Sequence, residues 1–200
     1  MSRDPLPAFY DDLDASLAEL WRLLADGVGR NGSAFHTPAL ATVDGAGRPR
    51  LRTVVLRAAD SAAGTLRFHC DRRSDKAREI GRAPLCALQG YDAAAKVQIR
   101  VEGEATLHTD DAIADAAWAA AQAMSRVAYG GEPGPGTALP SGDAYVLPDP
   151  EAAVTLGRPN FCAVGVRATR LDFLYLDRRG HRRAGWRRDG AVWTGSWLAP

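Results

Sequence analysis

The sequence is poor in cysteine and has neither a charge excess nor long apolar runs. Its three cysteines, Cys70, Cys86 and Cys162, are an odd number at scattered positions without metal-ligand spacing, so we expect reduced thiols and no metal site. No apolar run approaches the length of a membrane span, and the N-terminal residues 1–5 lack the apolar core of a signal peptide. Together these absences predict a cytoplasmic protein without a membrane partner.

The charge balance disfavours another broad class of partner. Lys and Arg number 25 and Asp and Glu number 24, which gives a net charge of +1. Proteins that bind nucleic acid or anionic membrane surfaces carry a marked basic excess, which is missing here. With 46% hydrophobic residues, the 200-residue chain can bury one sizeable core, so we expect a single domain over residues 1–200.

The run Arg52–Arg57 is β-rich and carries a cation at each end. In an extended strand its side chains alternate, and both faces are apolar enough to predict burial of each. One face would carry Leu51, Thr53 and Val55, and the other would carry Val54 and Leu56. An arginine at the end of such a strand needs an anionic or hydrogen-bonding partner, because an unpaired buried guanidinium is costly.

A second run, Phe68–Lys76, follows closely. It predicts the end of a strand, a turn, and a helix with Ser74 at its N-cap and Lys76 in its first turn. Backbone donors, a hydroxyl and a lysine at a helix start form a phosphate-binding arrangement. The two runs together predict a small barrel that holds a phosphate-bearing ligand.

The rest of the chain predicts a mainly β protein with flanking helices, an antiparallel barrel. We predict helices over about residues 10–26, over Asp75–Arg82, and from a Thr109 cap to Val127, with a long loop at about 130–150. The predicted strands are Pro38–Val43, Pro49–Ala58, Leu66–Cys70, Leu85–Leu88, Ala95–Leu107, Phe161–Arg167, Leu171–Leu176, His181–Arg187 and Ala191–Leu198.

Four segments in this order resemble the pyridoxamine 5′-phosphate oxidase-like flavoproteins, and most closely their oxidase-related FMN-binding branch. They are Arg52–Arg57, Phe68–Lys76, the Gln98 segment Val97–Gly103, and the ending His181–Arg183 with Trp197–Pro200. The resemblance covers about residues 10–200. It implies the FMN-binding split-barrel fold, FMN as cofactor, and a homodimer with the flavin at its interface.

The resemblance also implies residue roles. Arg52, Ser74 and Lys76 would meet the FMN phosphate, and Arg183 would approach the flavin from the other chain. The remaining implied cofactor contacts are Val54, Val55, Leu56, His69, Cys70 and Gln98. Implied substrate contacts are Arg57, Arg179 and His181, and no residue is assigned as catalytic or as a metal ligand.

The chain also departs from the family pattern. Asp75 stands where the oxidase has an arginine, and Arg57 stands where it has a lysine. Leu174 or Tyr175 occupies the region of the family's flavin-side tryptophan. The segment Ala117–Tyr129 offers only Ser125 and Arg126 where the oxidase has a helix that binds the substrate phosphate. We therefore expect FMN to bind and pyridoxamine phosphate not to be the substrate.

The preferred hypothesis is an FMN-dependent oxidoreductase, oxidase or reductase, acting on a small organic molecule. Alternatives are a flavin carrier or sensor without turnover, and a genuine pyridoxamine/pyridoxine 5′-phosphate oxidase. An open pocket beside the ring favours turnover, whereas a ring face filled by side chains favours a carrier. An RNA-binding barrel is disfavoured by the neutral charge and by the lack of an aromatic stacking strip. The simplest alternative for Arg52, Arg57, Lys76 and Gln98 is plain solvent exposure.

Overall fold

The computed structural model describes residues 5–200; residues 1–4, which belong to the stretch used above to predict the absence of a signal peptide, lie outside it. The described chain forms nine strands: β1 Ala39–Val43, β2 Pro49–Thr53, β3 Leu56–Asp60, β4 Thr65–Asp71, β5 Leu85–Asp92, β6 Val97–His108, β7 Phe161–Tyr175, β8 Arg182–Asp189 and β9 Val192–Leu198. The α-helices are α1 Leu13–Gly29, α2 Asp75–Arg82, α3 Ala112–Ala119, α4 Ala123–Val127 and α5 Ala152–Gly157. The predicted mainly β class with flanking helices is confirmed.

All strand pairs are antiparallel, in the order β2-β1-β5-β6-β7-β4-β3, and the hairpin β8–β9 is added on β7. The 15-residue strand β7 was predicted as two strands, and that prediction was wrong. One part of β7 pairs with β4 and the other with β8, while β6 runs along both. The register between β6 and β7 shifts between Glu102 and Gly103, as at a β-bulge. Glycine is required at position 103, because a Cβ there would lie 2.3 Å from the Arg167 carbonyl oxygen.

The predicted strand Pro49–Ala58 is broken at Val54 and Val55. Here the backbone N–H of Val54 donates to the Pro38 carbonyl at 3.0 Å, and that of Leu56 donates to the His36 carbonyl at 2.8 Å. The break carries the chain from β2, at one end of the strand order, to β3 at the other. The two end strands are thus joined by the chain itself, which closes the barrel.

The prediction that both faces of this run are buried was half wrong. Val54 and Leu56 are buried, as predicted. On the other face Leu51 is 72% exposed and Thr53 is exposed as well. Alternation of apolar residues predicts which side chains share a face, but it does not show what covers each face.

The core lies between the sheet and α1, which buries Leu20, Trp21 and Leu24 against it. The predicted N-terminal helix is confirmed; it begins at Leu13, after Asp12, whose carboxylate accepts from the Ala15 N–H at 2.8 Å. Strand β6 has the clean alternation that its sequence predicts. Val97, Ile99 and Val101 are each 1% exposed, and the polar residues between them face outward.

The helix predicted from Thr109 to Val127 is two helices, α3 and α4. Asp111 is the N-cap in place of Thr109, since its carboxylate accepts from the Ala114 N–H at 2.9 Å. The break follows α3, where the Arg126 guanidinium donates to the carbonyls of Trp118 and Ala119, each at 2.9 Å. Hydrogen bonds to these carbonyls, which lack a partner within the helix, stabilise the end of α3. The predicted loop is confirmed: residues 131–150 contain no helix, and only an isolated bridge joins Glu132 to Val146.

Within residues 5–200, no helix is both long enough and apolar enough to cross a membrane.

Candidate functional site

The phosphate cavity, a depression of about 480 Å³, brings together Arg52, Ser74 and Lys76, which the sequence places on two separate runs. Strand β2 forms one wall, the start of α2 forms another, and the long loop contributes a third. Its lining is Pro49, Arg50, Leu51, Arg52, Ser74, Asp75, Lys76, Pro135 and Gly136. Three of the predicted cofactor contacts therefore share one site, while their role stays a prediction.

Arg52 is held from behind by a buried carboxylate. Its Nη2 donates to Glu79 Oε2 at 2.7 Å, and its Nη1 donates to the Thr42 hydroxyl oxygen. The Thr42 hydroxyl in turn donates to the same Glu79 oxygen at 2.5 Å. Arg50 Nε lies 3.8 Å from the other Glu79 oxygen. The strand-end arginine thus has the anionic partner that its burial requires.

Lys76 is half-buried in the cavity wall and makes no hydrogen bond or ion pair within residues 5–200. Ser74 occupies the predicted N-cap position of α2, but its hydroxyl does not cap the helix; it donates to the Asp71 carbonyl at 2.6 Å. Asp75, the departure that puts a phosphate contact in doubt, is paired with the Arg78 guanidinium. Its negative charge is therefore partly offset.

The charges and donors of the cavity fit a phosphate monoester. Around it lie four cations and two carboxylates, a formal sum of +2: Arg50, Arg52, Lys76 and Arg78 against Asp75 and Glu79. A phosphate monoester carries about −1.5 to −2 charges at pH 7. Strand arginines, a partner-free lysine and the helix N-terminus are the donors that such a group requires.

A second, more enclosed cavity of about 190 Å³ lies between the β3–β4 hairpin and the α3–α4 segment, and it is named the substrate-side cavity after Arg57, its predicted substrate contact. Arg57, Arg67 and His69 come from the strands; Arg67 and His69 are two residues apart on β4 and share a face. The helical side contributes Ala117, Ala120, Ala121, Gln122, Ser125 and Tyr129. Two sequence-predicted residues, Arg57 and His69, are therefore neighbours here.

The substrate-side cavity is cationic and poor in internal hydrogen bonds. Burial, with the charges of Arg67 and Arg57, lowers the pKa of His69 to about 4, so the imidazole is neutral at pH 7. His69 Nε2 and Arg67 Nε are buried without a hydrogen-bond partner. Burial raises the pKa of Tyr129 to about 12, which keeps its phenol protonated. Unpaired buried polar atoms around a cavity mark a place where a ligand's acceptors are favoured.

Gln98 and Arg183 lie on a different surface, the polar face of β6–β8. Arg183 donates to the buried carboxylate of Asp172 from Nη2 at 2.9 Å and from Nε at 3.1 Å. Arg100 shares that oxygen at 2.9 Å. Gln98 contacts the side chain of Gln89 at 3.5 Å. These two predicted flavin contacts stand opposite Leu174 of β7 from either side, and both are outside the lining of the two cavities.

Arg179 and His181 lie in the turn between β7 and β8, also outside both cavities. Arg179 Nε donates to Asp177 at 2.8 Å, and this pairing, with the Arg179 backbone N–H, holds the pKa of Asp177 well below its usual range. His181 Nδ1 accepts from the Asp177 backbone N–H at 3.2 Å. Their predicted substrate role is untested.

Four of the remaining predicted cofactor contacts lie in or beside the core. Val54, Leu56 and Cys70 have buried side chains in the core, and Val55 is half-buried. Cys70 lies opposite Cys162 in the β4–β7 register. A hydrogen bond to Cys162, together with burial, raises the pKa of the Cys70 thiol.

Sequence reasoning missed several residues of these sites. Arg67 could have been found, because it is two positions before His69 on a strand and must share its face. Glu79 gave no such signal, since its partners Thr42 and Arg52 are 37 and 27 residues away in the chain. Among residues 5–200, no group of three or more His, Cys, Asp or Glu is placed to hold a metal ion.

Comparison with known proteins shows similarity over part of the chain. Residues 18–109 match the family model described as the pyridoxamine 5′-phosphate oxidase FMN-binding domain. Over 89 residues the chain is 39% identical to the pyridoxine/pyridoxamine 5′-phosphate oxidase of Anaeromyxobacter dehalogenans (strain 2CP-C). That match covers 44% of this chain and 43% of the relative, so it spans less than half of the curated enzyme.

Two solved structures share the whole fold. A pyridoxamine 5′-phosphate oxidase-related, FMN binding protein from Nostoc punctiforme PCC 73102 has a TM-score of 0.69 and 28% identity, over 98% of this chain and 100% of its own. PhzG from Burkholderia lata 383, solved in complex with tetrahydrophenazine-1-carboxylic acid, has a TM-score of 0.73 and 22% identity, over 100% of both chains. Over residues 18–109 the chain thus resembles the FMN-binding domain of the pyridoxamine 5′-phosphate oxidase family, and it has the FMN-binding split-barrel fold.

Proposed function

We propose that the protein is an FMN-dependent oxidoreductase that acts on a small organic molecule bearing an anionic group, with the flavin held in a homodimer. The observation that carries the proposal is the continuity of the β4–α2 segment. His69 lines the substrate-side cavity, and Ser74, five residues on, lines the phosphate cavity. One short segment therefore contacts a phosphate-compatible cavity and a second, ligand-sized polar cavity.

In this proposal Arg52, Ser74 and Lys76 hold the FMN phosphate. Bound FMN supplies hydride acceptance at its N5 position, and the protein orients the reactants around it. Arg57 and Arg67 bind the anionic group of the substrate, since two guanidinium groups in an enclosed space favour a carboxylate or phosphate. The neutral imidazole of His69 offers a hydrogen bond without adding charge.

The dimer is supported by an exposed apolar face. Leu51 of β2, Val43 of β1 and Leu85 of β5 are 72%, 43% and 67% exposed, and the antiparallel register places them on one side of the sheet. Adjacent exposed apolar side chains of this size are typical of interaction surfaces. In addition, Arg183 lies outside the cavity of the phosphate contacts, which agrees with the proposal that it approaches the flavin from the other chain.

Two alternatives are weighed against this proposal. The substrate-side cavity of about 190 Å³ disfavours a carrier without turnover, for which we expect side chains to fill that space. The second candidate activity is that named for the Anaeromyxobacter relative, pyridoxine/pyridoxamine 5′-phosphate oxidation. Arg57 and Arg67 favour it, whereas Arg126 disfavours it, because its donors are bonded to the carbonyls of Trp118 and Ala119.

The test begins with the visible spectrum of the purified protein and with titrations of FMN and FAD followed by flavin fluorescence. We expect FMN to bind in preference, because the phosphate cavity terminates the site. No fluorescence change at saturating FMN would overturn the cofactor assignment.

Turnover is then tested anaerobically on the FMN-loaded dimer, with NADH, NADPH and pyridoxamine 5′-phosphate as separate probes of flavin bleaching. We expect one of them to bleach the flavin, and Arg67→Ala to slow that reaction while FMN affinity is retained. Tight FMN binding with no bleaching by any probe would favour the carrier.

A further inference from the structure

Of the two carboxylates named above around the phosphate cavity, Asp75 and Glu79, it is Glu79 that lies in the protein interior. It is only 6% exposed, on the inner face of α2, and does not line the cavity itself. A buried carboxylate is unfavourable unless it is paired and hydrogen-bonded. Here it accepts from Arg52 at 2.7 Å and from the Thr42 hydroxyl at 2.5 Å, and both donors face it from the sheet.

The three contacts fix which edge of the Arg52 guanidinium is engaged. Thr42 Oγ accepts from Nη1, Glu79 Oε2 accepts from Nη2, and these two oxygens are themselves 2.5 Å apart. Oxygens this close can only meet the two terminal nitrogens along their shared edge. The guanidinium is planar, with five N–H donors in a fixed fork.

The neighbouring, lateral edge of Arg52 is therefore not used by Thr42 or Glu79. Its donors are Nε–H and the second hydrogen of Nη2; Nε makes no hydrogen bond within residues 5–200. Arg52 lines the phosphate cavity beside Lys76, so this edge is the part of the guanidinium left for a ligand there. Two parallel N–H donors match the spacing of two phosphate oxygens.

We propose that Glu79 is a positioning residue: with Thr42, it clamps the terminal edge of Arg52 and so presents the Nε–Nη2 edge to the phosphate group of the flavin. This inference rests on the proposed function and extends it, because it assigns phosphate recognition to a residue that touches no ligand. It follows that Glu79 and Thr42 affect ligands that carry the phosphate and leave phosphate-free flavin unaffected.

The experiment compares the dissociation constants of FMN and riboflavin in Glu79→Gln and Thr42→Val. We expect FMN binding to weaken about tenfold or more in each, the worth of one hydrogen bond to a charged group, while riboflavin binding stays unchanged. Thr42→Val keeps the charges and nearly the shape, so it isolates orientation from electrostatics. Glu104→Gln is the matched control, since Glu104 pairs with Arg167 at 2.7 Å on an exposed surface; it should change neither constant.

A double-mutant cycle with Arg52→Lys completes the test. Lysine keeps a cation for Glu79 but lacks the fork, so Glu79→Gln should have no further effect on FMN affinity in that background. Equal losses of FMN and riboflavin would show a merely structural role. FMN affinity that is unchanged or higher in Glu79→Gln, or full additivity in the cycle, would overturn the inference. If the unaltered protein binds no FMN at all, the proposed function itself fails, which is a distinct outcome.

Discussion

Lys76 provides the sharpest test of the phosphate cavity, because removing it takes away one charged donor and no internal bond. It is half-buried, lines the cavity, and has no hydrogen bond or ion pair in the part of the chain that the structure describes. A hydrogen bond to a charged group contributes about 1.5–3 kcal/mol. Lys76→Ala should therefore raise the dissociation constant of FMN by about 10- to 150-fold.

The assay is fluorescence titration of the apoprotein with FMN and with riboflavin, together with urea denaturation of the ligand-free protein. Riboflavin affinity should stay the same, and the free energy of unfolding should change by less than about 0.5 kcal/mol, because no partner is lost. Lys96 is the matched control: it is the chain's other lysine, exposed in the turn before β6. Lys96→Ala should bind FMN normally. An unchanged FMN constant in Lys76→Ala, or an equal loss of riboflavin, would refute the phosphate assignment.

Three further predictions follow from the other sites. Because the pKa of His69 is lowered from 6.5 to about 4, the unfolded chain binds more protons in that interval, so the free energy of unfolding should fall as the pH drops through it. His69→Asn should flatten that part of a urea-denaturation pH profile; an unaltered slope would count against a buried neutral imidazole. Leu85→Asp, on the exposed apolar face and outside the phosphate cavity, should shift light scattering from dimer to monomer and release flavin, whereas a wild-type monomer that holds FMN tightly would contradict the dimer. With pyridoxamine 5′-phosphate under air, peroxide release should be absent or far below about one turnover per second, since Arg126 is committed to carbonyls; ordinary turnover would show that Arg57 and Arg67 suffice.

The sequence predicted correctly those elements whose pattern depends only on neighbouring residues. The alternation of β6 and the amphipathic spacing of α1 are properties of neighbouring residues, and both elements form as expected. The phosphate cavity could be anticipated for the same reason, since Ser74 and Lys76 are two residues apart at a helix start. Arg52 joins them through its contact with α2, since its Nη2 donates to Glu79 Oε2 at 2.7 Å.

The wrong strand predictions and the missed residue Glu79 have one physical cause. In each case the residues that determine the local structure are distant in sequence from it. The break in Pro49–Ala58 depends on carbonyls of Pro38 and His36, and the single strand β7 depends on the length of β6 beside it. Glu79 was overlooked because its environment is built by Thr42 and Arg52. Periodicity assigns residues to a face, whereas the neighbour that covers the face is set by topology.

The two-residue break at Val54 and Val55 has a consequence for how the two cavities relate. Arg52 lies just before it and lines the phosphate cavity, while Arg57 lies just after it and lines the substrate-side cavity. Four intervening residues therefore act as a fixed spacer between the proposed cofactor contact Arg52 and the proposed substrate contact Arg57, and both ends belong to paired strands. An insertion or deletion of one residue here would shift one anchor by about 3.3 Å and reverse the faces of the side chains beyond it. Substrate preference in such a chain can change through the walls of the second cavity, but the separation of the two arginines cannot change without rebuilding the barrel's closure.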